Sequence, residues 1–129
     1  MAEGLSVAQA NAYLNSLCRA AAYSPPAGVF VKLHVGAPGA AGTANPAGNT
    51  TRQAATFGTA ASGGAISNTV AIDWTNVNTA EGYTHFSAWD ASSAGNFLFS
   101  GTITANAVAV GDNFWIPIGD CDVTLGVAS

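Results

Sequence analysis

The chain has 129 residues, three basic and seven acidic, so charged side chains make up 8% of it and the formal net charge is −4. Soluble domains usually carry about 25% charged residues, and a free cytosolic enzyme keeps itself dispersed with a mixed charged surface; small neutral residues in those places suit a subunit packed against neighbours. The acidic balance and the scatter of Arg19, Lys32 and Arg52 argue against direct nucleic-acid binding, which needs clustered cations, and no apolar run reaches the ~20 residues of a membrane span.

The length predicts one domain, 1–129, with a core drawn from Leu33, Ile72, Trp74, Phe86, Phe99, Ile103 and Phe114 among others. Residues 1–4 are acidic where an export signal is basic, so the expected compartment is a reducing cytoplasm. There Cys18 and Cys121 either bridge the two ends or, as that compartment favours, stay as free, largely buried thiols. Ser6 is placed to cap a helix over 6–22, with Val7, Ala10, Leu14, Leu17, Cys18 and Ala21 on one face. Ser24-Pro25-Pro26 stops it.

Everything after the prolines alternates. Val29, Val31, Leu33 and Val35 point one way and Phe30, Lys32 and His34 the other. Further strands are predicted over 53–58, 65–75, 83–90, 96–104, 107–110 with 113–118, and 121–127, separated by turns such as Ser62-Gly63-Gly64 and Ala94-Gly95-Asn96. The fold class is mainly β: an antiparallel β-sandwich or jelly-roll-like domain over 29–127 with one N-terminal α-helix. The long stretch 36–52 reads either as a surface loop or as an arm draped over a neighbouring subunit.

The chemistry-bearing residues are few. His34 and His85 read as ordinary strand histidines, His34 on the outer face beside Lys32, and no nucleophile and base converge. Neither the two cysteines with the two histidines nor Asp112, Asp120 and Asp122 have metal-ligand spacing, so no metal and no cofactor are expected. The glycines of 36–42 lack the Lys-Ser/Thr pair and helix of a phosphate cradle. Arg52 pairs with a carboxylate in its own fold or in a neighbour. Of Trp74, Trp89 and Trp115, one or two belong to the core, and one can stack on a glycan.

Several ordered blocks carry a resemblance: Val31-Lys32-Leu33-His34-Val35-Gly36 running on to Asn45, Thr51-Arg52-Gln53 to Gly58, Tyr83 to Asp90, and Ala94 to Gly101. In these the chain resembles a family of small virion structural proteins from tailed bacteriophages of actinobacteria, variously labelled tail-fibre, minor tail or head-decoration proteins. The resemblance implies a non-enzymatic virion component. A chain with no stalk or coiled coil suits a knob-like subunit, so the expectation is a capsid decoration protein. The alternative is a minor tail or tail-fibre component with a receptor- or glycan-binding role. The expected partners are the major capsid protein or tail proteins of the same virion, and further copies of the chain in a homo-oligomer such as a trimer. The expected assembly contacts are residues 1–5 and the 36–52 stretch, with Pro38, Gly39, Asn45, Pro46 and Arg52 singled out, and strand pairing at sheet edges.

Overall fold

Ser6 opens the first element as the sequence requires: its side-chain oxygen accepts from Gln9 N–H at 3.1 Å, capping α1 (Val7–Arg19). In this computed structural model, which describes residues 3–128, the helix ends sooner than the 6–22 pattern suggests. Ala20 turns left-handed at φ 54°, and Ala21 N–H closes on Asn15 O at 3.2 Å. The Tyr23 ring then packs on Tyr13, with centroids 5.1 Å apart, and its hydroxyl bonds Gln9 Nε2.

The rest is antiparallel β structure. The strands are β1 (Phe30–His34), β2 (Gln53–Ala54), β3 (Ala65–Ser67), β4 (Ile72–Trp74), β5 (Glu81–Trp89), β6 (Phe97–Val108), β7 (Phe114–Ile116) and β8 (Asp122–Thr124). Four of them form one sheet in the order β2-β1-β5-β6, while β3 pairs with β8 and β4 with β7 as two-stranded ribbons. The main sheet and the β4–β7 ribbon close on a common core in a sandwich-like arrangement. Val31 and Leu33 of β1, Ile72 and Trp74 of β4, Tyr83 and Phe86 of β5, and Phe114 and Ile116 of β7 meet there.

Several strands differ from the sequence pattern: 53–58 and 121–127 shorten to β2 and β8, 96–104 and 107–110 run together as β6, and two further differences have identifiable reasons. Tyr83 and Phe86 are both buried although two residues lie between them, which strict alternation would put on opposite faces; the β5–β6 register shifts between Tyr83 and His85. The predicted strand 65–75 is broken in two by Asn68, whose buried side chain turns the chain. Its Nδ2 donates to Val70 O at 2.9 Å and Pro117 O at 3.1 Å. Its Oδ1 accepts from Gly119 N–H and Cys121 N–H, both at 3.0 Å. One residue thus stitches the β3–β4 corner to the β7–β8 turn.

Candidate functional site

The 36–52 stretch is closed over the outer face of β1. Val35 N–H donates to Asn45 O at 3.0 Å, Ala44 N–H to Pro38 O at 2.9 Å and Ala47 N–H to Leu33 O at 3.1 Å. Pro38 and Ala47 are buried. Gly42 lies under Phe97 at φ 74°, where an added Cβ would come within 2.5 Å of the ring. The carboxylate of Glu81 fastens the far end, accepting from Gly48 N–H at 2.8 Å and Asn49 N–H at 3.1 Å. The segment is a lid on its own strand.

That lid buries His34, which the alternation had put on an outer, solvated face; its exposure is 0%. Ala44 O can only accept, so His34 Nδ1 carries the proton and donates to it at 2.8 Å. Nε2 therefore accepts from the Ser87 hydroxyl at 2.7 Å, and the Ser87 oxygen in turn accepts from Trp89 Nε1–H at 2.8 Å. Every group in this relay is satisfied with a neutral imidazole, and burial holds the His34 pKa below its ordinary value. The Ser87–His34 pair has the spacing of a nucleophile and its base, yet both side chains are fully buried and offer a substrate no approach. His85, directly across from His34 in the ladder, lies half-buried, with Nε2 3.7 Å from Glu3.

Arg52 finds its partners within the chain. Its Nη1 donates to Ala91 O at 2.9 Å and Ala94 O at 2.6 Å, and the guanidinium lies 4.4 Å above the Trp89 ring. It thereby pins the loop between β5 and β6. Within that loop Asp90 accepts from Asn96 N–H at 2.7 Å and Asn96 Nδ2 at 2.9 Å, bonds that hold its carboxyl below the usual range. Of the other expected contact residues, Pro38 faces inward, Gly39 is half-buried, and Asn45 and Pro46 are exposed. Residues 1 and 2 of the expected N-terminal contact lie outside the described residues. Gly4 and Ser6 bond the edge of β6 instead, through Ser100 N–H to Gly4 O at 2.9 Å and Ser6 N–H to Leu98 O at 2.8 Å.

Helix α1 buries none of its residues. Its predicted apolar face exists, but it faces outward: Leu17 is 80% exposed, and Leu14 and Val7 more than half. Leu5, Ala10, Tyr13, Leu14, Leu17 and Leu125 line an apolar groove of about 380 Å³. Cys18 on this helix is exposed, where the sequence suggested a buried thiol; Cys121 is buried, and both are free. The three tryptophans also separate. Trp74 is buried with Nε1–H on Thr51 O at 2.8 Å, Trp89 is buried in the His34 relay, and Trp115 is 56% exposed.

Two of the acidic residues near the last turns cap backbone. Asp112 accepts from Ala109 N–H at 2.9 Å and Asp120 from Thr104 N–H at 3.2 Å. Among the described residues no three His, Cys, Asp or Glu side chains group as a metal site, and no helix is long and apolar enough to cross a membrane.

Residues 4–124 match the sequence model of a family described as Podophage GP4 fiber I protein gp80. The chain belongs to this family. It is therefore a phage virion structural protein of fibre type, and the fibre I match favours the tail-fibre alternative over the capsid-decoration expectation. No curated protein matches it. For this fibre I relative, sequence reasoning missed Ser87 as the centre of the buried relay. The only signal is a Ser-x-Trp step on β5, which becomes meaningful once the ladder sets Lys32 opposite Ser87 and His34 diagonal to it.

Proposed function

We propose that this chain is a non-enzymatic structural subunit of a phage tail fibre, and that copies of it associate through the α1 face. The observation that carries the association is a helix capped at its start, closed at its end, and burying none of its own residues, with Leu14 and Leu17 exposed. In water most helical stability comes from packing an apolar face, so a helix that presents Leu14 and Leu17 outward is built for a partner. Val7, Tyr13, Leu14, Leu17 and Leu125 expose together roughly 600 Å² of side chain, approaching the ~800 Å² per partner of a standard interface. Arg19 is the only charge on α1, so a second copy meets no repulsion across that face. A closed ring such as a trimer fits this surface, with Asn45 and Pro46 on the lid as further contacts to neighbouring tail proteins. Assembly in the host cytoplasm accords with the two free thiols.

Light scattering coupled to size-exclusion chromatography tests the association. The wild-type chain should run as an oligomer, and Leu14→Glu with Leu17→Glu as a monomer of unchanged circular dichroism and melting behaviour, since neither leucine is buried. A wild-type monomer at tens of micromolar, or an oligomer indifferent to both glutamates, would refute it. Antibody labelling of virions by electron microscopy should mark the tail; label on the capsid would overturn the fibre reading and restore decoration.

A further inference from the structure

We propose that the cleft beside Trp115 binds a neutral saccharide. The chain buries two of its three tryptophans and gives each buried indole N–H an acceptor, so leaving the third more than half in water is a departure within the same fold. Trp115 stands on β7 between the buried Phe114 and Ile116, which fix the backbone that carries it. It lines a cleft of about 350 Å³ together with Thr104 and Asn106 of β6, Asn113, Pro117 and Asp120. That volume lies at the small end for ligand sites, enough for one or two sugar rings.

The polar groups around the indole are already oriented by the protein. Asp120 is held by Thr104 N–H on one carboxylate oxygen, at 3.2 Å, and faces the Thr104 hydroxyl from the other at 3.4 Å. Asn113 Oδ1 accepts from Asn76 N–H at 3.0 Å, which directs its amide NH₂ to other acceptors. A fixed carboxylate acceptor and a fixed amide donor suit the alternating acceptor and donor capacity of neighbouring hydroxyls. The indole offers its face to ring C–H groups.

Charge narrows the class further. No Lys or Arg lines the cleft, Asp120 sits within it, and Asp73 is the cross-strand partner of Trp115. An anionic ligand is repelled there, while an apolar peptide side chain would cover the Asn106 amide and the Asn113 NH₂ without offering them partners. A neutral pyranose satisfies both faces of the cleft. The place of the site in a virion rests on the fibre reading, but its chemistry stands on these residues alone. The cleft shares no residue with the α1 groove, so association through α1 leaves it free.

The test is saturation-transfer NMR on the full chain with the methyl glycosides of glucose, galactose, mannose and N-acetylglucosamine, and with glucuronate as an anionic control. At least one neutral glycoside should receive saturation on ring C–H groups of one face. Trp115→Ala should weaken it at least tenfold, Trp115→Phe less, and Asp120→Asn severalfold without loss of the C–H saturation. Circular dichroism should match wild type for all three variants, because Trp115 is exposed and Asn can still accept from Thr104 N–H. No saturation for any neutral glycoside, equal binding by Trp115→Ala, or preference for glucuronate would overturn the proposal. Tail labelling without glycoside binding would sink this site and leave the fibre reading standing; glycoside binding with capsid labelling would do the reverse.

Discussion

Replacing Asn68 with leucine keeps the side-chain volume and removes all four of its side-chain hydrogen bonds. The losses are unequal. Cys121 N–H is buried and has no second acceptor, so it is stranded at about 2 kcal/mol. Gly119 N–H keeps a bond to the Asn68 backbone carbonyl at 3.0 Å, and Val70 and Pro117 are exposed enough for water to reach their carbonyls. Those three lose roughly 0.5 kcal/mol each, near the low end for a net hydrogen bond. The expected destabilisation is about 3–4 kcal/mol, which lowers the urea midpoint by about 2 M at an m-value near 2 kcal/mol/M. Asn68→Asp keeps the acceptor facing Gly119 and Cys121 but buries a carboxylate whose second oxygen meets the Val70 and Pro117 carbonyls, so at neutral pH its midpoint should fall at least as far. Equilibrium urea unfolding followed by tryptophan fluorescence decides it, with unchanged m-values as the check on two-state behaviour. A leucine variant within about 0.5 M of wild type would refute the reasoning.

Burial holds the His34 pKa below about 6.5, so between its folded and unfolded values the unfolded chain binds the extra proton. Stability should therefore fall as pH is lowered through 6.5, and urea midpoints from pH 8 to 5 should show a slope that His34→Gln lacks; an identical slope in both speaks against the relay. Gly42→Ala places a methyl against Phe97 at φ 74° and should cost about 3 kcal/mol, seen as a clear drop in melting temperature; an unchanged melt would mean the lid yields freely. Burial pushes the Cys121 thiol up to about 12, so a disulfide reagent at pH 8 should modify one thiol per native chain, Cys18, and two in urea. Two equally fast thiols would contradict the packing around Cys121.

The single helix, the antiparallel class and most of the core could be read from periodicity, because α1 and β1 follow their patterns and Ser6 caps the helix, although it ends at Ala20, before the prolines. What sequence hid is the second layer on β1. Period two assigns His34 to water, and only long-range bonds from Ala44 and Ala47 reveal that 36–52 returns to cover it. The β5–β6 register shift was equally unreadable, since nothing local in Tyr83-Thr84-His85 or in residues 103–105 opposite them signals it. The apolar face of α1 was legible as a pattern, but a pattern does not say whether the covering surface belongs to the same chain. Trp115 could be named as a candidate and not chosen over Trp74 and Trp89, because all three sit beside core residues and only tertiary packing separates them.

The outermost strand of the main sheet, β6, has part of its free margin occupied: Ser6 N–H bonds Leu98 O, Gly4 O takes Ser100 N–H, and the Asp120 carboxylate takes Thr104 N–H. At the opposite margin β2 is only two residues long. A chain so poor in charge has little electrostatic repulsion to keep exposed sheet edges of neighbouring copies apart. With one flank partly taken by the chain's own residues and the other only two residues long, the main sheet offers a second copy little edge to extend.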